Sequence, residues 1–271
     1  MRPASPALIR FGYTAISLLV IGFIVLPLVF IVWMSFFSNK ILSFPPQGYT
    51  LDWYARAWEM DAFRDGFFTS VQTSLIATLV ALVLGLPASL ALARCKFPGR
   101  EAINTLLMSP MIVPGIVGGS ALFIFFLEME FLTGVQIAGK SAGLIMAHSL
   151  IALPWMIRLV TTSLVGVNPS IEEAARSLGA SDLKVFFRIT LPVIKPGVIA
   201  GSLFAFINSF IDLEKSIFLV GPDQTTLQIA LINYLEWNFD STIGAVATVQ
   251  IALVTVLMIV TNRYAKLNRA F

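Results

Sequence analysis

The chain has 271 residues, of which 57% are hydrophobic and 12% are charged, with a formal net charge of +3 and a mean hydropathy of +0.86. Because a soluble domain carries about 25% charged residues, this composition excludes a water-soluble globular protein, and so small a net charge gives no support to nucleic-acid binding. The single Cys95 excludes an intramolecular disulfide, and the single His148 excludes a multi-histidine metal site. We therefore expect an all-α membrane protein that binds no metal.

The first apolar segment, 11–37, predicts a retained membrane-spanning helix. It is longer than the roughly 7–15-residue apolar region of a secretory signal, and 33–37 offers no small-residue cleavage site. A membrane-spanning helix needs about 20 mainly apolar residues. Five later segments meet this requirement, which predicts about six spans in all: 67–93, 102–127, 141–163, 196–220 and 244–262.

A polar stretch, 40–66, follows the first span, so we take 1–66 as the first helix with its outer loop. Within this stretch, Leu51–Arg64 predicts a short amphipathic helix at the membrane interface. The apolar face of that helix would carry Trp53, Tyr54, Ala57 and Trp58.

The distribution of Lys and Arg among the short loops predicts the orientation, because these residues accumulate on the cytoplasmic side. One set of loops holds twelve of them: Arg2, Arg10, Arg94, Lys96, Arg100, Arg176, Lys184, Arg188, Lys195, Arg263, Lys266 and Arg269. The alternate set holds Lys40, Arg56, Arg64 and Lys140. We therefore expect both termini, the loop 164–195 and the tail 264–271 on the cytoplasmic side of the membrane.

The loop 164–195 is too long for a simple turn and predicts two short helices. The first would start at Pro169, with Asn168 or Ser170 as its N-cap and with Ser170 and Glu173 as a capping box. Gly179 would end it, because glycine adopts a positive φ without strain.

The second helix of this loop is predicted over Asp182–Ile189, with Ser181 as its N-cap. Two prolines, Pro192 and Pro196, follow it and are expected to break the chain before the fifth span.

The same loop carries a spaced motif. Glu173-Ala174-Ala175 is followed after three residues by Gly179, and after nine more by Ile189, one residue and Leu191-Pro192. This spacing resembles the "EAA" loop of the permease subunits of bacterial binding-protein-dependent ABC importers. The resemblance implies a transmembrane domain over 67–263, two partner ATPase subunits that bind ATP and Mg²⁺, a second homologous permease and a periplasmic binding protein. It implies no cofactor on this chain.

By that resemblance, a group of residues in the loop would contact the ATPase: Glu173, Ala174, Ala175, Arg176, Leu178, Gly179, Leu183 and Phe186. Small alanines would permit close approach, and the larger apolar side chains would dock. The alternative is an amphipathic helix that only anchors the bundle at the membrane surface. The acidic outer loops are candidate docking surface for the binding protein, through Asp223, Glu236 and Asp240.

The fifth predicted span contains polar residues, and ionisable groups within a span are candidates for function. We predict that Asn208, Ser209, Asp212 and Glu214 line the substrate path. The alternative is that Asp212 only pairs with Lys215, three residues later, while Lys215 extends to the headgroups. His148 and Ser149 are expected to form hydrogen bonds within the bundle.

The segment from Phe206 to Pro222, with Asp212 in it, looks like the permeases of the spermidine/putrescine group. A carboxylate there would suit a cationic amine, whereas Lys215 departs from that pattern. Related permeases carry phosphonates, iron or oxyanions, so these substrates stay open.

Two other classes of protein are alternatives to an importer subunit. A free-standing secondary transporter needs no long cytoplasmic loop of this kind. An intramembrane enzyme would need a catalytic motif, and the sequence has no His-Glu-x-x-His and no plausible Ser–His–Asp set. The stretch Gly134–Ser141 matches the P-loop letters, but it follows a membrane span rather than a strand and lies in a predicted outer loop.

Overall fold

The computed structural model describes residues 6–41, 43–222 and 224–267, and within these ranges the protein is built from helices. Arg2, Asp223 and Arg269, which were used in the predictions above, lie outside the described residues. The helices are α1 Pro6–Met34, α2 Asp52–Glu59, α3 Asp61–Arg94, α4 Arg100–Met108, α5 Gly115–Thr133, α6 Ser141–Val165, α7 Pro169–Ser177, α8 Asp182–Val185, α9 Leu191–Phe210, α10 Ser216–Leu219, α11 Leu227–Leu235 and α12 Thr242–Leu267.

The prediction of about six membrane spans is confirmed. Among the described residues, 6 helical stretches are long and apolar enough to cross a membrane: Gly12–Met34, Asp61–Arg94, Gly115–Thr133, Ser141–Val165, Asp182–Phe210 and Thr242–Tyr264. The chain is therefore a multi-pass, all-α membrane protein.

The predicted third span, 102–127, was wrong in its position. α4 ends at Met108, a 3₁₀ turn covers Ser109–Met111, and the spanning helix α5 begins only at Gly115. Pro114 is the cause, because its backbone is extended (ψ 132°) and a residue before proline is disfavoured in helix.

The predicted fifth span, 196–220, was also misplaced. The helix begins earlier, at Asp182, runs through a π-helical turn at Phe186–Thr190 and ends at Phe210. Pro192 and Pro196 do not break it, because the wider π turn directly precedes Pro192 and the Leu191 N–H donates to the Phe186 carbonyl.

Two compact units divide the described residues, and the larger runs from Asp61 to Asn233 and continues from Leu253. In it α3, α6 and α9 pack against one another. Glycines allow the close approach: a Cβ at Gly85 would lie 2.8 Å from Met156 Cγ, and one at Gly197 would lie 2.3 Å from Ser163 Oγ. The buried core of this packing comprises Ala77, Ala81, Ala152, Met156, Val160, Leu164, Val167, Ile194 and Ala205.

The smaller unit comprises the described residues up to Met60 together with Tyr234–Ala252. The predicted amphipathic helix Leu51–Arg64 was too long, because Met60 is extended (ψ 111°) and separates α2 from α3. The predicted interfacial face was wrong for Trp53, which is buried and donates through Nε1 to the Phe37 carbonyl at 2.6 Å. Trp58 lies on the exposed side.

Asp240 lies two residues before α12 in this smaller unit and is not free docking surface, contrary to the prediction. It is buried, accepts from Thr242 N at 2.9 Å and from the Tyr234 hydroxyl at 2.8 Å, and lies 3.4 Å from Arg56 Nη1. Glu236 is exposed, as a docking residue would have to be.

Candidate functional site

The motif-bearing loop forms two short helices, α7 and α8, joined by a tight turn. Asn168 is the N-cap of α7, since its Oδ1 accepts from Ser170 N at 3.0 Å, and Pro169 occupies the first helical position. Ser170 therefore lies inside the helix, and the predicted Ser170–Glu173 capping box does not form. Ser181 occupies the N-cap position of α8 but makes no side-chain capping bond.

Gly179 ends α7 with a φ of +83°, as predicted. The Gly179 N–H donates to the Arg176 carbonyl at 2.9 Å, and the Ala180 N–H donates to the Ala175 carbonyl at 3.1 Å, which is the Schellman pattern of a helix end. No heavy atom lies within 4 Å of the position that a Cβ on Gly179 would take. The turn thus presents an open surface. We call residues 169–190 the coupling hairpin, after the role that the sequence resemblance predicts for them.

Most of the predicted ATPase-contact residues lie on the outside of the coupling hairpin. Leu178 is 90% exposed and Leu183 is 71% exposed. Exposed too are Glu173, Ala174, Arg176 and Gly179, whereas Ala175 and Phe186 are half-buried. Arg176 Nε donates to Asp182 Oδ1 at 2.8 Å, which raises the pKa of the Arg176 guanidinium above its ordinary value.

One buried contact of this hairpin was not predicted. Glu172 is 4% exposed, and its Oε2 lies 3.2 Å from Nε of Arg94, the last residue of α3. Glu172 Oε1 accepts from Thr190 Oγ1 at 2.8 Å and lies 3.4 Å from Arg94 Nη2. Arg94 Nη2 also donates to the Val167 carbonyl at 3.2 Å. Glu172 and Glu173 are adjacent and identical, so only the helix orientation separates the buried carboxylate from the exposed one.

A second candidate region is a cavity of about 480 Å³ in the larger unit, which contains three of the four predicted substrate-path residues. Its lining residues are Pro110, Met111, Val113, Gly115, Ile151, Trp155, Asn208, Ile211, Asp212, Leu213, Glu214 and Lys215. The cavity lies beside the break at 211–215 that separates α9 from α10.

The structure places Asp212 in this break and not inside a membrane helix as predicted. Asp212 Oδ1 accepts from Lys215 N at 3.0 Å and from Ser216 N at 3.3 Å, so it satisfies two backbone N–H groups at the start of the short helix α10. Its Oδ2 lies 3.6 Å from Lys215 Nζ, and both side chains are nearly buried. The local pairing that was weighed as the alternative therefore does form.

Glu214 differs from Asp212, because among the described residues no Lys or Arg forms an ion pair with it. Its carboxylate lies against the N-terminus of α5: a Cβ at Gly115 would lie 1.5 Å from Glu214 Oε2. A helix N-terminus carries a partial positive charge and stabilises a carboxylate there.

His148 belongs to the packing of the bundle, as predicted. It is buried in α6, with Nδ1 2.8 Å from Ser209 Oγ and Nε2 3.1 Å from Ser216 Oγ. Ser209 is therefore engaged with His148 and does not line the cavity, unlike its neighbour Asn208. Ser149 donates to the Ile145 carbonyl within its own helix.

Neither region has the composition of a metal centre. Over the ranges that the structure describes, no three His, Cys, Asp or Glu side chains are grouped so that they could hold a metal ion. The P-loop-like stretch joins two helices, α5 and α6, and the backbone N–H groups of Ile137 and Ala138 donate to Glu130 Oε1.

Comparison with known proteins identifies a family. Residues 81–269 match the binding-protein-dependent transport system inner membrane component. The putrescine transport system permease protein PotI of Escherichia coli (strain K12) is 30% identical over 245 residues, covering 89% of this chain and 87% of PotI. The molybdenum transport system permease protein ModB of the same organism is 29% identical over 211 residues, covering 74% of this chain and 92% of ModB.

Solved structures share the fold. A bacterial ABC transporter involved in the import of the acidic polysaccharide alginate matches with a TM-score of 0.64 and 19% identity, over 100% of both chains. The same kind of transporter in complex with an alginate-pentasaccharide-bound periplasmic protein matches with a TM-score of 0.62 and 17% identity, over 94% of this chain and 92% of that one. The chain therefore belongs to the inner membrane components of binding-protein-dependent transport systems and is a permease subunit of an ABC importer.

Proposed function

We propose that this permease receives the work of ATP hydrolysis through the coupling hairpin. The exposed Leu178 and Leu183 offer an apolar surface, and Gly179 offers a turn that a partner can approach closely. Two ATPase subunits would carry ATP and Mg²⁺, and this chain would perform no chemistry itself. The hairpin would bind in a socket of one ATPase subunit and pass its movement to the membrane helices.

The coupling hairpin lies on the cytoplasmic side in this proposal, as do both termini. Support comes from the loop charges, because Lys and Arg gather in the loops on the hairpin's side of the membrane. A second homologous permease would complete the translocation path, and a periplasmic binding protein would deliver substrate from the other side. ATP binding would draw the ATPase subunits together and open the path outward, where the binding protein releases its ligand.

The substrate in this proposal is a polyamine or another small amine-containing solute, and the charge of the cavity is the observation that carries it. Asp212 and Glu214 contribute −2, Lys215 contributes +1, and their sum is −1. A net negative cavity favours a cation. Trp155 adds an aromatic face, which attracts ammonium groups through its π electrons. The similarity to the putrescine permease PotI points the same way.

An oxyanion is the second candidate, and two observations favour it. ModB, the molybdenum permease, covers most of this chain at nearly the same identity as PotI. Lys215 also lines the cavity and could bind an anion after leaving Asp212. Against it, an incoming anion would meet the Glu214 carboxylate, which no described residue neutralises through an ion pair.

The test is ATP hydrolysis by the complete assembly, purified through a tag on this chain and reconstituted with its binding protein. Putrescine and spermidine are added in one series and molybdate in another. We expect the amines to stimulate hydrolysis and molybdate to have no effect. Stimulation by molybdate alone would show that the substrate is an oxyanion and not an amine.

Gly179→Trp tests the coupling role in the same assembly. A Cβ at Gly179 would have no heavy atom within 4 Å, so we expect membrane insertion to persist while the ATPase subunits are lost or uncoupled. The matched control is Gly99→Trp, because Gly99 has a φ of +79° and equally empty surroundings. Unchanged ATPase binding and transport in Gly179→Trp would contradict the proposal.

A further inference from the structure

A buried cluster attaches α7, the first helix of the coupling hairpin, to the second and fifth membrane spans at once. Arg94 ends α3, Glu172 lies in α7, and Thr190 is the last residue of the π turn that leads into α9. We call Arg94, Glu172 and Thr190 the latch cluster. The three residues are far apart in sequence: Arg94 and Glu172 are separated by 78 positions, and Glu172 and Thr190 by 18.

Glu172 is the buried residue of α7, all nine residues of which the structure describes. Ile171, its apolar neighbour, is half-exposed. The helix is therefore held to the protein by a carboxylate rather than by an apolar side chain. An apolar contact tolerates sliding, because it has no preferred direction. A carboxylate whose two oxygens meet Arg94 and Thr190 fixes an orientation.

Burial makes this attachment stiff. Opening the cluster would leave a charged group without its partner away from water, which is strongly unfavourable. The exposed ion pair of the same hairpin, Arg176 with Asp182, lies in solvent and can open at little cost. The latch cluster is thus the contact that stays closed when the hairpin moves.

We infer that Arg94, Glu172 and Thr190 are positioning residues that make α7, the first helix of the coupling hairpin, move as one body with the second and fifth membrane spans. The inference rests on the coupling role proposed above. Displacement of the hairpin by an ATPase subunit would pass through Glu172 to Arg94 in α3 and to Thr190 at the start of α9. Without the cluster, the hairpin could still bind the ATPase, but α7 would be free to move independently of the second and fifth spans.

A purely structural role gives a different result, which makes the inference testable. If the cluster only stabilised the fold, its variants would lower the yield of the assembly, and each surviving complex would behave as wild type. The increase in ATP hydrolysis caused by the binding protein, measured per intact complex, separates the two cases. The binding protein is used as purified from the periplasm, so this measurement requires no knowledge of the substrate.

The variants are Glu172→Gln, which keeps the side-chain shape and removes the charge, and Thr190→Val, which removes the hydroxyl at constant volume. We expect the increase caused by the binding protein to fall about tenfold in Glu172→Gln, within the usual range for residues that carry coupling between sites. The ATPase subunits should still co-purify. Thr190→Ser retains the hydroxyl and should behave as wild type, whereas Thr190→Val should lose part of the increase.

Glu101→Gln is the control, because Glu101 is an exposed carboxylate on α4, outside the coupling hairpin. If Glu172→Gln does not yield a complex, the inference is tested by comparing the increase in ATP hydrolysis between Thr190→Val and Thr190→Ser. If the binding protein raises ATP hydrolysis as much in Glu172→Gln and Thr190→Val as in wild type, while Gly179→Trp is uncoupled, the latch inference is wrong and the coupling role stands. A wild-type increase in Gly179→Trp overturns the coupling role, and the latch inference with it.

Discussion

Two carboxylates of the larger unit, Glu172 and Asp212, show two ways of holding a buried negative charge. Asp212 finds its partners within four residues: Lys215 through its ammonium group and its backbone N–H, and Ser216 through its backbone N–H. Glu172 finds its partners on other elements, at Arg94 and Thr190. The first arrangement satisfies a charge and shapes one turn. The second also fixes three elements relative to one another.

This difference bears on mechanism, because a local pair can move as a unit while a long-range pair resists separation of its elements. The break at 211–215 can therefore shift beside the cavity while Asp212 keeps its contacts with Lys215 and Ser216. The helix α7 has no such freedom relative to α3 and α9. The compliant part of the chain is then beside the cavity, and the stiff part is where α7 meets the ends of these two helices.

The largest effect is expected from removing the cations of the two pairs. Arg94→Met leaves the Glu172 carboxylate buried beside Thr190 alone, which should lower the free energy of unfolding by about 3–5 kcal/mol. Lys215→Met leaves Asp212 with both of its backbone donors, so the expected loss is only about 1.5 kcal/mol. Thermal denaturation of the detergent-solubilised assembly measures both.

A double variant sharpens this prediction. Replacing Arg94 and Glu172 together by methionine removes the charge pair and fills its volume, which should bring stability back to within about 1–2 kcal/mol of wild type. Equal losses in Arg94→Met and Lys215→Met would show that distance along the chain does not separate the two pairs.

The predictable features of the fold depend on local signals. Length and hydropathy identified six spans, Asn168 with Pro169 marked the start of α7, and Gly179 marked its end. Each of these signals lies within a few residues of the feature that it marks, so a single sequence contains it.

The features that were missed depend on distant contacts or on turns without a distinctive residue. The break after Phe210 carries no proline or glycine, and its apolar residues continue the hydropathy of α9, so Asp212 was placed inside a helix. The contact of Glu172 with Arg94 depends on the packing of α3 with the hairpin, which no local pattern reports. In the cavity, Trp155 was missed because a tryptophan in an apolar span resembles any other core residue.

An intermediate effect is expected from Gly119, which packs against the break. A Cβ there would lie 3.0 Å from the Glu214 carbonyl oxygen and 3.0 Å from Lys215 Cα, and these backbone atoms cannot move aside cheaply. Gly119→Ala should therefore lower the free energy of unfolding by about 1–3 kcal/mol. Amine uptake by the reconstituted assembly should fall with it, because the cavity wall is displaced.

The neighbouring Gly118 is the matched control. A Cβ there would meet its nearest atom, Val113 Cγ1, at 3.7 Å, which is an ordinary contact. Gly118→Ala should be neutral or stabilising, since alanine is the better helix former by about 1 kcal/mol. Similar losses from the two alanines would mean that the break is not held by α5.

The smallest effect is expected from Asp212→Asn, because the asparagine carbonyl can still accept from the Lys215 and Ser216 backbone. The fold should be nearly unchanged, while the cavity charge rises from −1 to 0 and Lys215 loses its counter-ion. We expect uptake of putrescine to weaken by roughly two- to fivefold, the size of a partly screened charge interaction, and to weaken more than basal ATP hydrolysis. Glu214→Gln neutralises the carboxylate that no described cation pairs, so it should weaken uptake more strongly than Asp212→Asn. Equal uptake by Asp212→Asn and wild type would remove Asp212 from the substrate path and leave it as the acceptor for the backbone N–H groups of Lys215 and Ser216.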